Sequence, residues 1–330
     1  MAADLGALEK LLALPGVTDV LVNGPEEVWL DRGLGCERAA LSFASADDVR
    51  ALAVRLAAVA GRRLDDAAPS VDARLPDGSR LHAVLPPVAD GCTAISIRRV
   101  RAEPFAVEDL VAAGMLAPVI AEALGGLVRS RASLLVTGGT GAGKTTLAST
   151  LLGLVDPRER IVMVEEVGEL NPAHPHVVRL VERRLNVEGA GGVGLERLVR
   201  ESLRMRPDRI VLGECRGAEL REVLTAYNTG HRGGLTTMHA NSAGDVPARL
   251  AALGALSGLA DRATQRLAAA GFDAVVHVAR SESGLRRVVE IAVLAAGPRG
   301  LCVRPALVDS GGQVSRGPGW EGLAALIGAT

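Results

Sequence analysis

The sequence predicts an α/β protein in two parts: a small α+β segment comes first, and a mainly parallel sheet with helices on both faces follows. Three observations predict this class. Short alternating apolar stretches surround one amphipathic helix in roughly the first hundred residues, whereas helical and strand-like segments alternate from residue 113 onwards. Of the 330 residues, 48% are hydrophobic but only 2% are aromatic, so aliphatic side chains must build the core.

The first segment begins with two predicted strands, 18–24 and 27–33, which flank an Asn-Gly-Pro turn. A helix is predicted over 45–61, because Ser45 and Asp48 form a capping pattern ahead of an apolar stripe. A hairpin and a further strand complete this segment, at 72–87 and 93–100.

The pattern changes near Pro104, where long alanine-rich helical segments begin. We therefore predict an N-terminal α+β domain over 1–105, a linker over 106–112 and a second domain over 113–330. The second domain should contain four core strands, 133–138, 160–166, 209–214 and 234–239, and a C-terminal antiparallel hairpin, 273–280 with 286–294. Its C-terminal helices end the domain, and residues 311–322 are predicted to be a loop or a frayed tail.

Charge and cysteine usage exclude several classes of protein. The formal net charge is −1, so bulk attraction to nucleic acid or to acidic lipid is not expected. The four cysteines are far apart and form no CxxC pair, which favours a reduced chain without disulfides or a zinc site. The sequence shows neither a signal peptide nor a membrane span, so we expect a cytoplasmic protein without membrane insertion.

The stretch GGTGAGKTT follows the apolar strand at 133–138 and precedes a helical segment, which is the context that a phosphate-binding loop requires. Its glycines allow several N–H groups to point inward, and the helix N-terminus adds partial positive charge. Lys144, one of two lysines in the chain, would reach the β- and γ-phosphates, and the Thr145 hydroxyl would face Mg²⁺. The predicted nucleotide-binding residues are Gly138, Gly139, Thr140, Gly141, Ala142, Gly143, Lys144, Thr145 and Thr146.

Polar residues end the other core strands of this domain, and the carboxyl ends of parallel strands are where ligands bind. Glu165 and Glu166 end the second strand, Glu214 the third and His239 the fourth. Glu214 is the natural Walker B carboxylate and would hold Mg²⁺, directly or through water, or orient the attacking water. Glu165 and Glu166 are a second candidate for water activation, with helix-capping or exposed loop carboxylates as the alternative.

Several blocks of the sequence closely resemble the secretion and pilus traffic ATPases, in particular the CpaF-like branch that serves Tad/Flp pili. These blocks are GGTGAGKTT, RIVMVEEVGEL, LRMRPDRIVLGECRG, NTGHRGGLTTMHANS and, upstream, GRRLDDAAPSVDARLPDGSRLHAVLPP and ISIRR. The similarity spans roughly residues 15 to 310. It implies a small N-terminal domain followed by a RecA-like P-loop NTPase domain, with ATP bound between the two.

The resemblance also implies roles for individual residues. RIVMVEEVGEL matches an acidic box with Glu165, Glu166 and Glu169, in which the family usually has aspartate in place of Glu166; the longer side chain makes Glu165 the preferred candidate. NTGHRGG and TTMHAN match a histidine box with His231 and His239. Without the resemblance, His239 could also be a buried strand-end histidine, and the structural alternative is stronger for His231, because NTGH is also a plain helix C-cap. The remaining candidates are arginines: Arg98 or Arg99 for the nucleotide, and Arg179, Arg183, Arg204 and Arg206 as fingers acting on a neighbouring subunit.

By this resemblance the protein would be a cytoplasmic homo-hexamer that hydrolyses ATP with Mg²⁺ to drive assembly of a Tad/Flp-type pilus. It would sit at the inner face of the cell membrane through an inner-membrane platform protein, with no direct nucleic-acid contact. Conjugation or type IV secretion is the alternative within the family, and the direction of pilus movement stays open. From other classes, a RecA-type nucleic-acid motor is disfavoured by the near-zero charge and scarce aromatics. A small-molecule kinase would not explain the histidine blocks, and a non-catalytic scaffold would not explain the intact catalytic blocks.

Overall fold

The computed structural model describes residues 6–33, 35–99, 104–183, 185, 190–281, 284–297 and 300–329. The chain divides into two compact units, Met1–Ala102 with Leu185–Ala190, and Glu103–Arg184 with Gly191–Thr330. Residues predicted as a linker include a helix, α3 (Val107–Ala112), whose Leu110 is buried in the core of the second unit. The division into domains at 1–105 and 113–330 stays a prediction.

The first unit is an antiparallel sheet of six strands backed by one long helix. The strand order is β3-β2-β1-β6-β5-β4, and every neighbouring pair is antiparallel. Its elements are a 3₁₀ turn (Gly6–Leu8), α1 (Glu9–Leu12), β1 (Asp19–Gly24), β2 (Glu27–Asp31), β3 (Cys36–Arg38), α2 (Ala46–Val59), β4 (Ser70–Arg74), β5 (Arg80–Val84) and β6 (Ala94–Arg98).

Hydrophobic patterning explains this unit. Alternate residues of the main strands are buried, which lets one face of the sheet pack against the helix. The apolar stripe of α2 is buried as predicted, and Ser45 accepts a hydrogen bond from the backbone N–H of Asp48 at its start. The two predicted strands, the helix, the hairpin and the final strand of this segment are confirmed.

The second unit contains a mixed sheet of nine strands in the order β15-β14-β13-β12-β7-β11-β10-β8-β9. The strands from β12 to β9 in this order run parallel, and those from β12 to β15 run antiparallel. Its strands are β7 (Leu134–Gly138), β8 (Ile161–Glu165), β9 (Val177–Val181), β10 (Arg209–Leu212), β11 (Leu235–Met238), β12 (Ala274–Arg280), β13 (Arg286–Gly297), β14 (Gly300–Asp309) and β15 (Val314–Arg316).

Helices cover both faces of this sheet, as its fully buried central strands require. One face packs against α4 (Pro118–Arg129), α5 (Lys144–Gly153) and α10 (Trp320–Ile327). The other packs against α6 (Leu195–Ser202), α7 (Leu220–Asn228), α8 (Val246–Leu256) and α9 (Asp261–Gly271), with a 3₁₀ turn (Ala243–Asp245) ahead of α8. The four predicted core strands and the C-terminal hairpin are confirmed, and β3, β9 and β14 were not predicted.

The prediction of a loop or frayed tail over 311–322 is wrong. This segment contains β15 and the first turn of α10. The guanidinium carbon of Arg316 lies 4.0 Å from the centre of the Trp320 ring, which joins the strand to the helix. A Cβ on Gly317 or on Gly319 would come within 2.4 Å of a β14 carbonyl oxygen, so glycine marks close packing here rather than looseness.

Across the described ranges, no helix is both long and apolar enough to cross a membrane. Nor do these residues include a group of three or more His, Cys, Asp and Glu side chains that could hold a metal ion.

Candidate nucleotide site

The parallel strands of the second unit bring most of the predicted site residues to one edge. Thr137 of β7 is opposite Met238 of β11, and Leu212 of β10 is opposite Val164 of β8. Residues that follow these strands therefore share the carboxyl edge of the sheet.

The phosphate loop connects β7 to α5 and depends on glycine for its shape. Gly138 has a φ of 153°, and a Cβ there would lie 2.3 Å from the carbonyl oxygen of Val278. Gly143, with a φ of 98°, is the residue before α5, so the loop turns directly into a helix N-terminus. The loop is thus packed against β12 on one side and presents helix amides on the other.

Lys144 is buried, with 7% of its surface exposed, and all three of its ammonium hydrogens have acceptors. Its Nζ donates to the carbonyl oxygens of Gly138, at 3.0 Å, and Gly139, at 2.9 Å, and lies 3.2 Å from His239 Nδ1. Burial lowers the pKa of Lys144, and the charge of Glu214 opposes that shift. A phosphate must therefore replace contacts that Lys144 already makes.

His239 lies between Lys144 and Glu214. An ammonium group can only donate, so the Nδ1 of His239 accepts from Lys144, and the proton of the neutral ring is on Nε2. That Nε2 lies 2.9 Å from Glu214 Oε1, but the contact is not aligned as a hydrogen bond. Glu214 Oε1 is consequently buried without a hydrogen-bond partner among the residues that the structure describes.

Arg216 joins Glu214 to Glu166. Its Nη2 is 2.5 Å from Glu214 Oε2, and its Nη1 is 3.2 Å from Glu166 Oε2. Glu219, which is buried, accepts from the backbone N–H groups of Arg216 and Gly217 at 2.6 and 2.8 Å. The loop after β10 is thereby fixed while the guanidinium holds two carboxylates.

Glu165 has a different role from its neighbour. Its side chain is 3% exposed, and its Oε1 accepts from the backbone N–H groups of Glu169 and Leu170, both at 2.8 Å. Its Oε2 accepts from Arg179 Nε at 3.0 Å. Burial raises the pKa of Glu165, and these hydrogen bonds and the Arg179 charge oppose the rise. The preference for Glu165 over Glu166 is therefore not supported by the geometry, because Glu165 is used to fold its own loop.

The structure does not bring His231 to this edge. It follows α7 and precedes β11, so it lies at the amino edge of the sheet, opposite the phosphate loop. Its backbone N–H bonds to the carbonyl of Ala226, as expected for the C-terminal end of a helix, and its buried Nδ1 has no hydrogen-bond partner within the described part of the chain. Within a single chain His231 therefore lies apart from His239, and its role in the site stays a prediction.

The predicted arginines are engaged locally. In the first unit Arg98 bonds to Asp19 at 2.9 Å, and Arg99 donates to the carbonyl of Leu12 at 2.9 Å, so their contact with nucleotide stays a prediction.

Among the candidate fingers, Arg179 is occupied by Glu165 and by the carbonyl of Leu170. The backbone of Arg183 pairs with Val193 in an isolated β-bridge. The side chains of Arg204 and Arg206 are 75% and 86% exposed. Of these four, Arg204 and Arg206 are the better placed to reach another subunit, and their role in trans stays a prediction.

Three residues of this region were not predicted from the sequence, Arg216, Arg286 and His277. Arg286 Nε donates to the carbonyl oxygen of Gly141 at 2.8 Å and so ties β13 to the phosphate loop. His277 of β12 is buried, and its Nδ1 lies 2.9 Å from the hydroxyl of Thr137, just before the loop. The contact of Arg216 with Glu214, two residues earlier, could be anticipated from the sequence, whereas its contact with Glu166 could not.

The side chains at this edge fit a magnesium-bound triphosphate. A Cβ on Gly139 would meet no atom within 4 Å, which leaves the loop open on that side. Glu214 offers a carboxylate, whose Oε1 is buried against the ring of His239, and Thr145 offers a hydroxyl at the start of α5. Oxygen ligands of this kind, few in number, suit Mg²⁺ that also binds substrate phosphates.

Comparison with known proteins places these features in context. A family model described as Type II/IV secretion system protein matches residues 1–283. A protein of Mycobacterium tuberculosis (strain H37Rv) named for conjugal transfer is 53% identical over 295 residues, which cover 88% of this chain and 84% of the other. The conjugal transfer protein TrbB of Rhizobium radiobacter is 32% identical over 83% of each chain. The type IV secretion system protein PtlH of Bordetella pertussis is 33% identical over 72% of this chain and 77% of its own.

Solved structures agree with the fold. The pilus retraction motor PilT with bound ADP has a TM-score of 0.60 at 18% identity, covering 92% of this chain and 82% of its own. The ATPase DotB of Legionella pneumophila has a TM-score of 0.57 at 19% identity, covering 86% and 78%. At these identities the likeness concerns the fold alone. It confirms the predicted fold class, α/β with a small α+β N-terminal domain followed by a domain with the RecA-like fold.

Proposed function

Since the chain belongs to the type II/IV secretion system protein family, we propose that it is a P-loop ATPase that hydrolyses ATP to ADP and phosphate and so powers a secretion or conjugation machine. The observation that carries the proposal is the cluster of Lys144, His239 and Glu214 at the end of the phosphate loop, within hydrogen-bonding distance of one another. A purely structural loop would not need a buried lysine near a carboxylate whose Oε1 is itself buried and has no hydrogen-bond partner among the described residues.

The residues of this chain would act in a definite order. Lys144 exchanges the carbonyls of Gly138 and Gly139 and the ring of His239 for phosphate oxygens, and the loop amides surround the rest of the triphosphate. Once Lys144 has moved, the ring of His239 loses this contact and can turn, so that a ring N–H donates to the terminal phosphate and reports whether it is present. Nucleotide binding is thereby linked to a change at Glu214, which His239 faces.

Glu214 and Thr145 would hold Mg²⁺, which supplies charge stabilisation at the transferred phosphoryl group. Glu166 is the better candidate for orienting the attacking water, because its carboxylate is 35% exposed and already faces the site through Arg216. Glu165 shapes the loop that follows β8 instead.

Three relatives at 30% identity or more are named for conjugal transfer or type IV secretion, which favours these functions over assembly of a Tad/Flp pilus. Pilus assembly stays the second candidate, supported by the motif resemblance in the histidine and acidic boxes. A nucleic-acid motor is disfavoured by the six aromatic residues among 330. We further propose that the working form is a homo-hexamer, bound to an inner-membrane platform protein at the cytoplasmic face of the membrane.

The test is Mg²⁺-dependent phosphate release by the purified protein and by Lys144→Ala. We expect Lys144→Ala to lower turnover by about a thousandfold or more, because the lysine neutralises charge that develops on the phosphates. Release of phosphate without a phosphorylated small molecule separates a hydrolase from a kinase. Retained turnover in Lys144→Ala would refute the site, and an unchanged thermal midpoint would show that the variant is folded.

A further inference from the structure

We propose that Arg216 is a built-in counter-cation, which holds Glu214 and Glu166 together before the metal-nucleotide arrives and must leave them when it binds. The inference rests on the proposed function, because it concerns the same site. In this proposal Arg216 is a positioning residue, and it determines how strongly nucleotide binding depends on magnesium.

The contacts of Arg216 are those of a bridge between two strand ends. One guanidinium nitrogen binds Glu214, which follows β10, and the other binds Glu166, which follows the neighbouring β8. Two carboxylates this close to one cation would repel each other if it were removed. A planar fork with parallel donors suits this bridge better than the single ammonium of a lysine.

The side chain of Arg216 can leave the two carboxylates while its backbone stays in place. Its backbone N–H is held by Glu219 at 2.6 Å, so the loop need not move when the side chain does. Its side chain is 53% exposed, whereas the Arg179 side chain on Glu165 is 26% exposed. A half-exposed guanidinium can exchange a carboxylate for water at small cost, since exposed ion pairs are weak.

The position of Arg216 also decides which groups are available to a metal. It occupies Oε2 of Glu214, and Oε1 of the same carboxylate has no hydrogen-bond partner in the described residues. Mg²⁺ and Arg216 would therefore compete for the same negative charge. Arg216 should weaken magnesium binding and, at the same time, lower the repulsion between the carboxylates and a nucleotide without metal.

The experiment measures ADP binding by isothermal titration calorimetry in the presence of Mg²⁺ and in the presence of EDTA. The quantity of interest is the dissociation constant in EDTA divided by that in Mg²⁺. This ratio gives the coupling between metal binding and nucleotide binding. In Arg216→Gln we expect this ratio to rise by about tenfold, mainly through weaker binding in EDTA, because one positive charge is lost beside two carboxylates. Arg216→Lys should give an intermediate ratio, because it keeps the charge but not the fork.

Arg158→Gln is the matched control. Arg158 forms an exposed pair with Asp156 ahead of β8, at the other edge of the same sheet. The ratio of dissociation constants measured for Arg158→Gln should therefore equal that of the wild type. Circular dichroism melting of each variant checks that the fold is kept.

The outcomes separate the two proposals. No ADP binding by the wild type, with or without Mg²⁺, would overturn the proposed function and the inference with it. Normal wild-type binding with an unchanged ratio in Arg216→Gln would overturn the inference alone. So would an equal loss of affinity in both conditions, because that result would make Arg216 a direct phosphate ligand.

Discussion

The two edges of the parallel sheet in the second unit carry the same kinds of side chain but use them differently. At the amino edge, the Arg209 side chain is 4% exposed, and its Nε and Nη2 lie 2.8 and 3.3 Å from the two oxygens of Glu159. Its Nη2 also donates to the carbonyl of Val128 at 2.9 Å. At the carboxyl edge, the Arg216 side chain is 53% exposed and is shared between two carboxylates.

The comparison shows that an arginine–carboxylate pair does not by itself mark a functional site. The pair at the amino edge is buried and multiply bonded, so removing one member leaves a buried charge. The pairs at the carboxyl edge lie beside a glycine-rich loop and the cluster of Lys144, His239 and Glu214, where a ligand can replace existing contacts. Stability should therefore respond to the amino edge and catalysis to the carboxyl edge.

The largest effect on folding is expected from Arg209→Leu. Loss of the guanidinium leaves Glu159, whose side chain is 18% exposed, with Arg131 at 3.1 Å as its remaining cation. We expect a loss of about 3 kcal/mol in the free energy of unfolding, measured by urea denaturation. Arg158→Gln, which removes an exposed pair, should leave the urea midpoint unchanged. Equal urea midpoints for Arg209→Leu and the wild type would contradict the claim that the buried pair at the amino edge stabilises the fold.

The adjacent residues Glu165 and Glu166 allow stability and catalysis to be compared within the carboxyl edge alone. Glu165→Gln should lower the free energy of unfolding by about 2 kcal/mol, because an amide NH₂ would face Arg179 in place of a carboxylate oxygen. Glu166→Gln should leave stability unchanged and lower ATP turnover by about a hundredfold, as expected for loss of a water-orienting base. Urea denaturation and phosphate release are to be measured on both variants. A larger turnover loss in Glu165→Gln at unchanged stability would reverse the assignment.

Much of this site could be predicted from sequence, for reasons that the same residues make clear. The phosphate loop and Glu214 were predicted because strand, loop and helix follow one another along the chain. The pair Glu165 and Glu166 could not be resolved, since successive residues at a strand end point to opposite sides and the sequence does not say which is inward. Arg216 depends on a contact with Glu166 fifty residues away, which no local pattern contains.

His231 shows a second limit. It shares a sequence block with His239, but β11 lies between them and carries them to opposite ends of the strand. In the C-terminal tail, glycines suggested a loose segment, whereas close packing against β14 is what requires them. In both cases the sequence gives the order of residues but not which end of a strand they follow or which side they face.

The two histidines provide the next test of the comparison. His239→Ala removes the acceptor of Lys144 and the neighbour of Glu214, so we expect turnover to fall by about thirtyfold. His231→Ala, at the amino edge, should change turnover of the isolated subunit by no more than about twofold. Steady-state phosphate release on both variants is the measurement. Equal losses would indicate that His231 reaches a site by a route that a single chain does not provide, such as a neighbouring subunit.

The smallest effect is expected from His277 of β12, which contacts Thr137, the residue before the phosphate loop. Burial lowers the pKa of His277 below the ordinary value of 6.5. A hydrogen bond with the backbone of Asn241 and the charge of Asp245 oppose this shift, and the charge of Lys144 adds to it. The unfolded chain therefore takes up the proton first as the pH falls through about 6.5, and His277 contributes stability that is present above this pH and lost below it. His277→Gln should cost about 1 kcal/mol at neutral pH, because the contact with Thr137 changes, and this difference should shrink between about pH 7 and pH 5. Urea denaturation of both proteins across that range measures the difference, and a gap that stays constant with pH would show that the buried ring does not titrate with unfolding.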